Sequence, residues 1–247
     1  MRYMGSKARH AKHIVPFLMD GHDQDSWYIE PFMGGGNMLS NVPAKHKWGN
    51  DTAEYAVALL EAVANGWEPP ETLTLQEYKA VKGNPENYKK EYVGFVAHCC
   101  SYGGVKFGSY ARNKPSEGDN STVPAQQYKA LKKQEVGLIG TKFTCMSYLD
   151  LEIPDGSTVY LDPPYASTTG YGGEFDHEQF WQWASCLSKR CRVFVSEYSA
   201  PDEWKCIWEK TVSKYVTKKD GKYDKATEKL FIYPGGLSDQ PRSLLDL

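Results

Sequence analysis

The chain has 247 residues, 40% hydrophobic and 24% charged, with a formal net charge of −2. That is ordinary for a soluble globular fold and long enough for one large core or a core with an insertion. It excludes a grip on nucleic acid resting on a global positive field, though not a local basic face.

The chain opens on a basic segment, with Arg2, Lys7, Arg9 and Lys12 beside His10 and His13. Gly5-Ser6 punctuates it, and a helix is predicted from about Ser6 to Met19. These charges suit a phosphate or a small carboxylate, or simply a solvated helix face. The start, Met1 to Lys7, lacks an apolar signal core, and no run of 18 apolar residues occurs anywhere. Neither secretion nor a membrane span is expected, and the expected location is the cytosol, bacterial or that of a phage-infected host.

Ser26 to Ile29 reads as a strand, and Glu30 to Met38 as a glycine-rich turn into a helix. Gly34, Gly35 and Gly36 let the backbone approach a ligand closely and aim N–H groups at it. No glycine sits three residues after Gly36, so this is not the G-x-G-x-x-G dinucleotide pattern. Lys47 to Asp51 reads as a second strand ending in an acid, a placement that suits ribose hydroxyls. Asp51 equally suits the N-cap of a helix over Thr52 to Ala64.

From Glu54 to Lys133 the character changes. Helical periodicity runs through Glu54–Asn65, Leu75–Lys82 and Asn87–Cys100. Ser101 to Lys114 then alternates glycines with Tyr102, Lys106, Phe107, Tyr110, Arg112 and Lys114. That pattern suits a loop laying side chains on a nucleic acid; a surface linker is the alternative. The six cysteines form no C-x-x-C pair, and His98-Cys99-Cys100 is no standard metal site, so reduced thiols and no metal are expected.

Phe143–Tyr148 and Ser157–Leu161 read as strands. A glycine-rich lid follows at Thr168–Phe175, then a helix over Asp176–Ser188 and a strand over Arg192–Ser196. A helix start is expected at Ala200–Trp208, and closing strands at Val212–Val216 and Lys229–Tyr233. The alternation predicts an α/β domain with a mostly parallel sheet.

Asp162-Pro163-Pro164-Tyr165 ends the Ser157–Leu161 strand. Neither proline has an N–H, and the residue before a proline is pushed out of the helical region, so Asp162 is held at a strand mouth. An arbitrary tetrapeptide would occur in a chain this long with odds of about one in a thousand. The chemistry it suits is attack by an exocyclic amine. A carboxylate (Asp162) and a carbonyl (Pro163) can take the two amine hydrogens and turn the nitrogen lone pair toward an electrophile, while Tyr165 offers a stacking face.

Together these elements resemble the DNA adenine-N6 methyltransferases of the Dam type, the D12 class with the α-group motif order, over nearly the whole chain. Arg2 to Lys7 resembles the family's first motif, in which Tyr3 and Lys7 would meet the methionine end of S-adenosylmethionine. Pro31-Phe32-Met33-Gly34-Gly35-Gly36 resembles the F-x-G-x-G cofactor turn, Asp51 the ribose-binding acid and Asp162–Tyr165 the D-P-P-Y motif. Glu228 to Tyr233 resembles the C-terminal strand. Ser147-Tyr148 stands where many members carry an acid before the aromatic, and the Ser101–Lys114 loop looks more like phage-encoded members.

The resemblance implies a Rossmann-like S-adenosylmethionine-dependent methyltransferase fold. Residues 1–53 and 134–247 would form the catalytic domain, and 54–133 an inserted helical target-recognition domain. It implies direct methyl transfer to N6 of an adenine flipped out of double-stranded DNA, without metal or covalent intermediate and with no obligatory protein partner. Asp162 to Tyr165 would be catalytic. Tyr3, Lys7, Phe32, Gly34, Gly35, Gly36, Asp51, Ser147, Tyr148 and Asp162 would bind the cofactor, and Arg2, Lys106, Tyr110, Arg112 and Lys114 the DNA. Cytosine N4, an RNA base or a protein amide are alternative targets on the same fold, and a non-catalytic nucleic-acid-binding module is the alternative of another class.

Overall fold

Short β-branched and aromatic runs form strands β1 (Trp27–Glu30), β2 (His46–Asn50), β3 (Lys142–Thr144), β4 (Thr158–Leu161) and β5 (Arg192–Glu197). Two longer strands, β6 (Lys205–Thr217) and β7 (Tyr223–Ile232), close the chain. The computed structural model describes residues 1–114, 119–164, 175–217 and 223–239. Among them one sheet forms, in the order β3-β2-β1-β4-β5-β7-β6. The first five strands pair in parallel, and β7 pairs antiparallel with both β5 and β6. This is the mostly parallel, Rossmann-like sheet expected. Its order reverses at β1, which has β2 on one side and β4 on the other, and ligands of such sheets bind beyond the strand ends at that switch point.

Burial alternates along the strands because successive side chains leave opposite faces. Tyr28, Tyr160 and Phe194 join Ile14 and Leu18 of α1 (Ala11–Met19) and Leu59 and Leu60 of α2 (Glu54–Ala64) in one apolar cluster. Ile29, Val159, Leu161, Val193 and Val195 pack on Phe180 and Ala184 of α6 (His177–Leu187) on the other face. The strands are thus covered on both sides, and their C-terminal ends remain as the place for chemistry.

Between β2 and β3 lie α2, α3 (Leu75–Gly83), α4 (Lys90–Gly94) and α5 (Val123–Glu135), with a π-helical turn over Phe95–Cys99 continuing α4. α4 crosses α2 so closely that a Cβ on Gly94 would lie 2.1 Å from the Tyr55 carbonyl oxygen. Val93, Phe95 and Val96 share the apolar cluster of Tyr28 and Leu59, so the helical segment and the sheet have one core.

Five local expectations differ. The glycine turn leads into no α-helix, only a 3-10 turn over Leu39–Asn41 before β2. The first helix begins at Ala11, not Ser6, because Gly5 at φ +76° and a turn closed by His10 N–H to Lys7 C=O precede it. The Asn87–Cys100 helix is split: a 3-10 turn ends at Asn87, and α4 starts only at Lys90. β3 stops at Thr144, since Ser147 Oγ accepts the Leu149 N–H and starts a 3-10 turn over Tyr148–Asp150. No helix starts at Ala200–Trp208. Pro201–Trp204 is a turn and β6 begins at Lys205, where pairing with β7 overrides the helical spacing of Trp204, Ile207 and Trp208.

Candidate active site

β1 ends on Glu30, with Pro31 after it, and β4 is followed by Asp162-Pro163-Pro164; both ends open on the switch-point crevice, and the N-terminal turn folds over them. Lys7 is 5% exposed, and its Nζ lies 3.1 Å from Asp162 Oδ1 and 3.5 Å from Glu228 Oε2 on β7. Burial alone would push the Lys7 amine down. The two carboxylates outweigh it and hold the amine above its ordinary value, so it stays charged. The Asp162 side chain keeps 20% exposure and faces the crevice mouth. Pro163 is buried beside it and Pro164 half-buried. Tyr165 and the lid from Thr168 to Glu174 lie outside the described residues.

Two strands end in buried acids that the sequence did not single out, and burial raises both carboxyls. Glu30 is buried at the end of β1 and accepts the Tyr28 hydroxyl at 2.7 Å; burial pushes its carboxyl up to about 8. Glu197 ends β5, 5% exposed, and burial pushes it up to about 7. Its Oε1 accepts the Tyr198 N–H at 2.7 Å, while Oε2 is buried with no hydrogen-bond partner. Neither of these acids nor Glu228 was assigned a site role from the sequence. The available signal was position: each lies at or near a sheet strand's crevice end.

The glycine turn is shaped by a different neighbour from the one expected. A Cβ on Gly34 would lie 2.8 Å from the Tyr3 ring, and one on Gly35 2.7 Å from Tyr3 Cβ. The space the glycines leave is therefore filled by Tyr3, whose ring also sits 5.0 Å from that of His98. Two of the turn's N–H groups are occupied, Gly34 by Asp51 Oδ2 at 2.8 Å and Gly36 by the Met33 carbonyl at 2.7 Å. Asp51 Oδ1 accepts Ala53 N–H at 2.9 Å. It thus ties the second strand's end to the glycine turn, and the residue flanking α2 is Ala53, not Asp51. Burial raises the Asp51 carboxyl, against the N–H donors that lower it. Asn50, fully buried, links Pro31 and Met146 carbonyls through its amide and holds the three strand ends in place.

Phe32 and Tyr148 meet at 5.1 Å between ring centroids, with Phe175, Phe180 and Trp183 around them. Tyr148 is buried in this aromatic wall, and Ser147 is a turn cap whose hydroxyl accepts a backbone N–H. Such a wall suits the flat face of a base.

The residues expected on DNA divide. Ser101–Lys114 is a built loop: Tyr102 N–H bonds Ser109 C=O, and Ala111 N–H bonds Cys100 C=O, each at 2.8 Å. Gly104 lies against the Tyr3 backbone, where a Cβ would come within 2.7 Å, so the loop rests on the crevice rim. Tyr110 corrects an expectation: it is 8% exposed, its hydroxyl bonded to the Leu73 and Asp119 carbonyls, and it braces the loop from inside. Arg112 lies over the Tyr110 ring at 5.1 Å and 3.9 Å from Asp119. Lys106 lies over Tyr55 at 5.0 Å, and Lys114 is exposed. Arg2 is half-buried, with its backbone N–H on Gln127 Oε1 at 2.9 Å and its charge within reach of the buried Cys99 and Cys100. It lines a separate cavity of about 520 Å³ with Asn37, Gln127 and Lys133, away from Lys7 and Asp162.

Among the described residues no helix is long and apolar enough to cross a membrane, and no cluster of three His, Cys, Asp or Glu side chains could hold a metal ion. All six cysteines are free.

The sheet order and the crevice define a Rossmann-like α/β protein whose switch point lies at the ends of β1 and β4. Residues 3–96 match the family model of the D12 class N6 adenine-specific DNA methyltransferases. The chain is also 26% identical over 194 residues to the type II methyltransferase M.FokI of Planomicrobium okeanokoites, covering 69% of this chain and 29% of that protein. It thus spans less than a third of that relative's length. Both matches are to methyltransferases, and the family model covers the segment that holds Tyr3, Lys7, the glycine turn and Asp51. Among solved structures it is similar to the rRNA methyltransferase aviRa of Streptomyces viridochromogenes, with a TM-score of 0.44, 13% identity, and 94% of this chain and 86% of that one covered. It is also similar to the tRNA (m1A58) methyltransferase TrmI of Aquifex aeolicus, with a TM-score of 0.36, 11% identity, and 94% and 69% covered.

Proposed function

We propose that this protein is a site-specific DNA methyltransferase that moves a methyl group from S-adenosylmethionine to N6 of an adenine flipped out of duplex DNA. The observation that carries the reading is Asp162 at the mouth of β4, fixed by two prolines and held at 3.1 Å by the buried Lys7. When bound, the cofactor supplies an activated sulfonium methyl, so the protein need not create an electrophile. The residues present fit such a group. Buried Glu228 and Glu197 and the partly exposed Asp162 around Lys7 give the crevice a negative balance suited to a sulfonium cation. Tyr3, Lys7, the Gly34–Gly36 turn and Asp51 would hold the amino-acid and ribose ends, with the Phe32–Tyr148 wall and Ser147 beside the adenine.

Asp162 and the Pro163 carbonyl would accept the two hydrogens of the target amine, so that its lone pair faces the methyl. Lys7 holds Asp162 in place by charge and hydrogen bonding. Pro164 fixes the turn, and Tyr165 would stack on the flipped base. Residues 54–133 would be the target-recognition insertion, with Lys106, Arg112 and Lys114 on DNA and Arg2 on the neighbouring phosphate backbone. The protein would act in the cytosol, without an obligatory protein partner.

The test is to express the chain, map N6-methyladenine in host DNA by single-molecule sequencing, and repeat with Asp162→Ala. A modified motif lost in the variant is the expected result. Unmodified DNA from an expressed, folded, cofactor-binding wild type would overturn the reading.

A further inference from the structure

Glu197 has no place in the mechanism above, yet it sits at the crevice. β5 runs beside β4 in parallel, with Leu161 opposite Val195. Carried two residues further, that register sets Pro163 beside Glu197. Lys229 of β7 pairs Glu197 from the other side. Ser196, one residue earlier, is tied to the Tyr160 hydroxyl at 2.8 Å, which fixes the strand end. The side chain is 5% exposed, and its Oε2 is buried without a hydrogen-bond partner. A buried orphan carboxylate oxygen is costly and calls for a proton or a cation.

We infer that Glu197 is the proton reservoir of the methyl transfer, acting through Asp162. The inference rests on the methyltransferase reading above. The groups facing Glu197 are Asp162 after β4, Lys7 of the N-terminal turn, Glu228 of β7 and the adjoining Tyr198. With all three acids ionised, Lys7 offsets one charge of three, a net of −2; with Glu197 protonated the net is −1. A sulfonium cation favours the first state, so cofactor binding drives the proton off Glu197. In the transfer, the N6 lone pair forms the N–C bond while the C–S pair stays on sulfur, and the sulfonium charge disappears. One N6 proton must then leave. It passes to the Asp162 carboxylate and on to Glu197, which the vanished cation no longer keeps ionised, and the proton returns to solvent at product release. Burial, the largest influence on this carboxyl, places its titration at about 7, where a proton can be both taken and given up.

Three measurements on the full chain test this. In the free protein, carbon-13 NMR of labelled glutamate carboxyls should show a titration near neutrality that Glu197→Gln removes. Calorimetry of S-adenosylmethionine binding at pH 7, in buffers of different ionisation enthalpy, should show proton release by wild type and little by Glu197→Gln. Single-turnover methylation should fall with acid in wild type and in Glu197→Asp, with a midpoint below the free protein's value of about 7 because bound cofactor favours the ionised carboxylate. Glu197→Gln should lose that limb and run about tenfold slower on the alkaline plateau. Equal proton release and an unchanged acid limb in Glu197→Gln would overturn the inference and leave the residue a structural one. A wild type that binds cofactor but methylates no duplex would overturn the adenine reading, while NMR and calorimetry still judge Glu197.

Discussion

Lys7 and Asp162 are 155 positions apart in sequence, yet their charged atoms meet at 3.1 Å inside the crevice. The pair joins the chain's first turn to the end of its fourth strand, and Glu228 makes it a triad. Removing the cation leaves two carboxylates facing each other in a nearly dry site. Lys7→Met should therefore destabilise the protein by about 3–5 kcal/mol, as breaking a buried pair does. It should also abolish methyl transfer. Asp162→Ala should abolish transfer too but leave S-adenosylmethionine binding within about tenfold, because only the amine loses its acceptor. Denaturant unfolding and calorimetry read both. Near-normal turnover in Asp162→Ala would remove the catalytic role.

Glu30 gives a pH dependence whose sign can be worked out. Its carboxyl lies at about 8 in the fold because burial penalises the charge, against an ordinary 4.5. Between those values the folded state holds more protons than the unfolded one, so stability falls as pH rises through the window. Glu197, at about 7, adds to the fall over a narrower range. Glu30→Gln keeps an acceptor for the Tyr28 hydroxyl and removes the titration. It should be more stable than wild type at pH 8 by on the order of 2–4 kcal/mol, with the gain shrinking toward pH 5. Parallel stability–pH curves for the two proteins would contradict this.

The crevice end of the fold is legible in sequence because its signals are covalent. Two prolines cannot continue a strand, and three glycines cannot be mistaken for a core helix, so Asp162 and the turn after β1 were placed correctly. What escaped depends on packing between distant segments. That Tyr3 fills the glycine turn, or that Glu30 and Glu197 are buried, requires knowing which strands are neighbours. Tyr110 sits in a glycine-rich basic stretch that reads as exposed, yet the Leu73 carbonyl draws its hydroxyl inward. The helix start expected over Ala200–Trp208 is instead a turn and the first residues of β6, because Lys205 to Trp208 pair with β7.

Asp51 can now be tested more sharply than a truncation allows. Its two oxygens serve two backbone donors, Gly34 N–H and Ala53 N–H. Asp51→Ala loses both and should weaken cofactor binding by about 1–3 kcal/mol, part of it by loosening the turn. Asp51→Asn retains one acceptor and should fall between wild type and alanine in thermal stability. If the carboxylate also binds ribose hydroxyls, cofactor affinity in Asp51→Asn should drop nearly as far as in alanine while stability does not. Unchanged affinity in both variants would leave Asp51 a purely structural tie.

The Ser101–Lys114 loop, proposed to read DNA, offers the last discrimination. Lys106 and Lys114 carry compact charges, whereas Arg112 carries a planar fork that can pair with both acceptors on a guanine edge. The structure adds a reason to choose Arg112: it is held over the Tyr110 ring and near Asp119, and Tyr110 is itself anchored to the Leu73 and Asp119 carbonyls. A guanidinium already ordered in the free protein loses less freedom on binding. Arg112→Ala should cost about 1–3 kcal/mol on the cognate duplex and little on a scrambled one. Lys106→Ala and Lys114→Ala should weaken both duplexes alike, each lowering the slope of log affinity against log salt by about one. Tyr110→Phe keeps the ring under Arg112 but cuts its anchor, so it should reduce cognate binding with a smaller loss than Arg112→Ala. Affinities for the two duplexes at several salt concentrations decide the matter. Equal losses on both duplexes for Arg112→Ala would move base reading to another residue, and no loss in any of the three would move it off this loop.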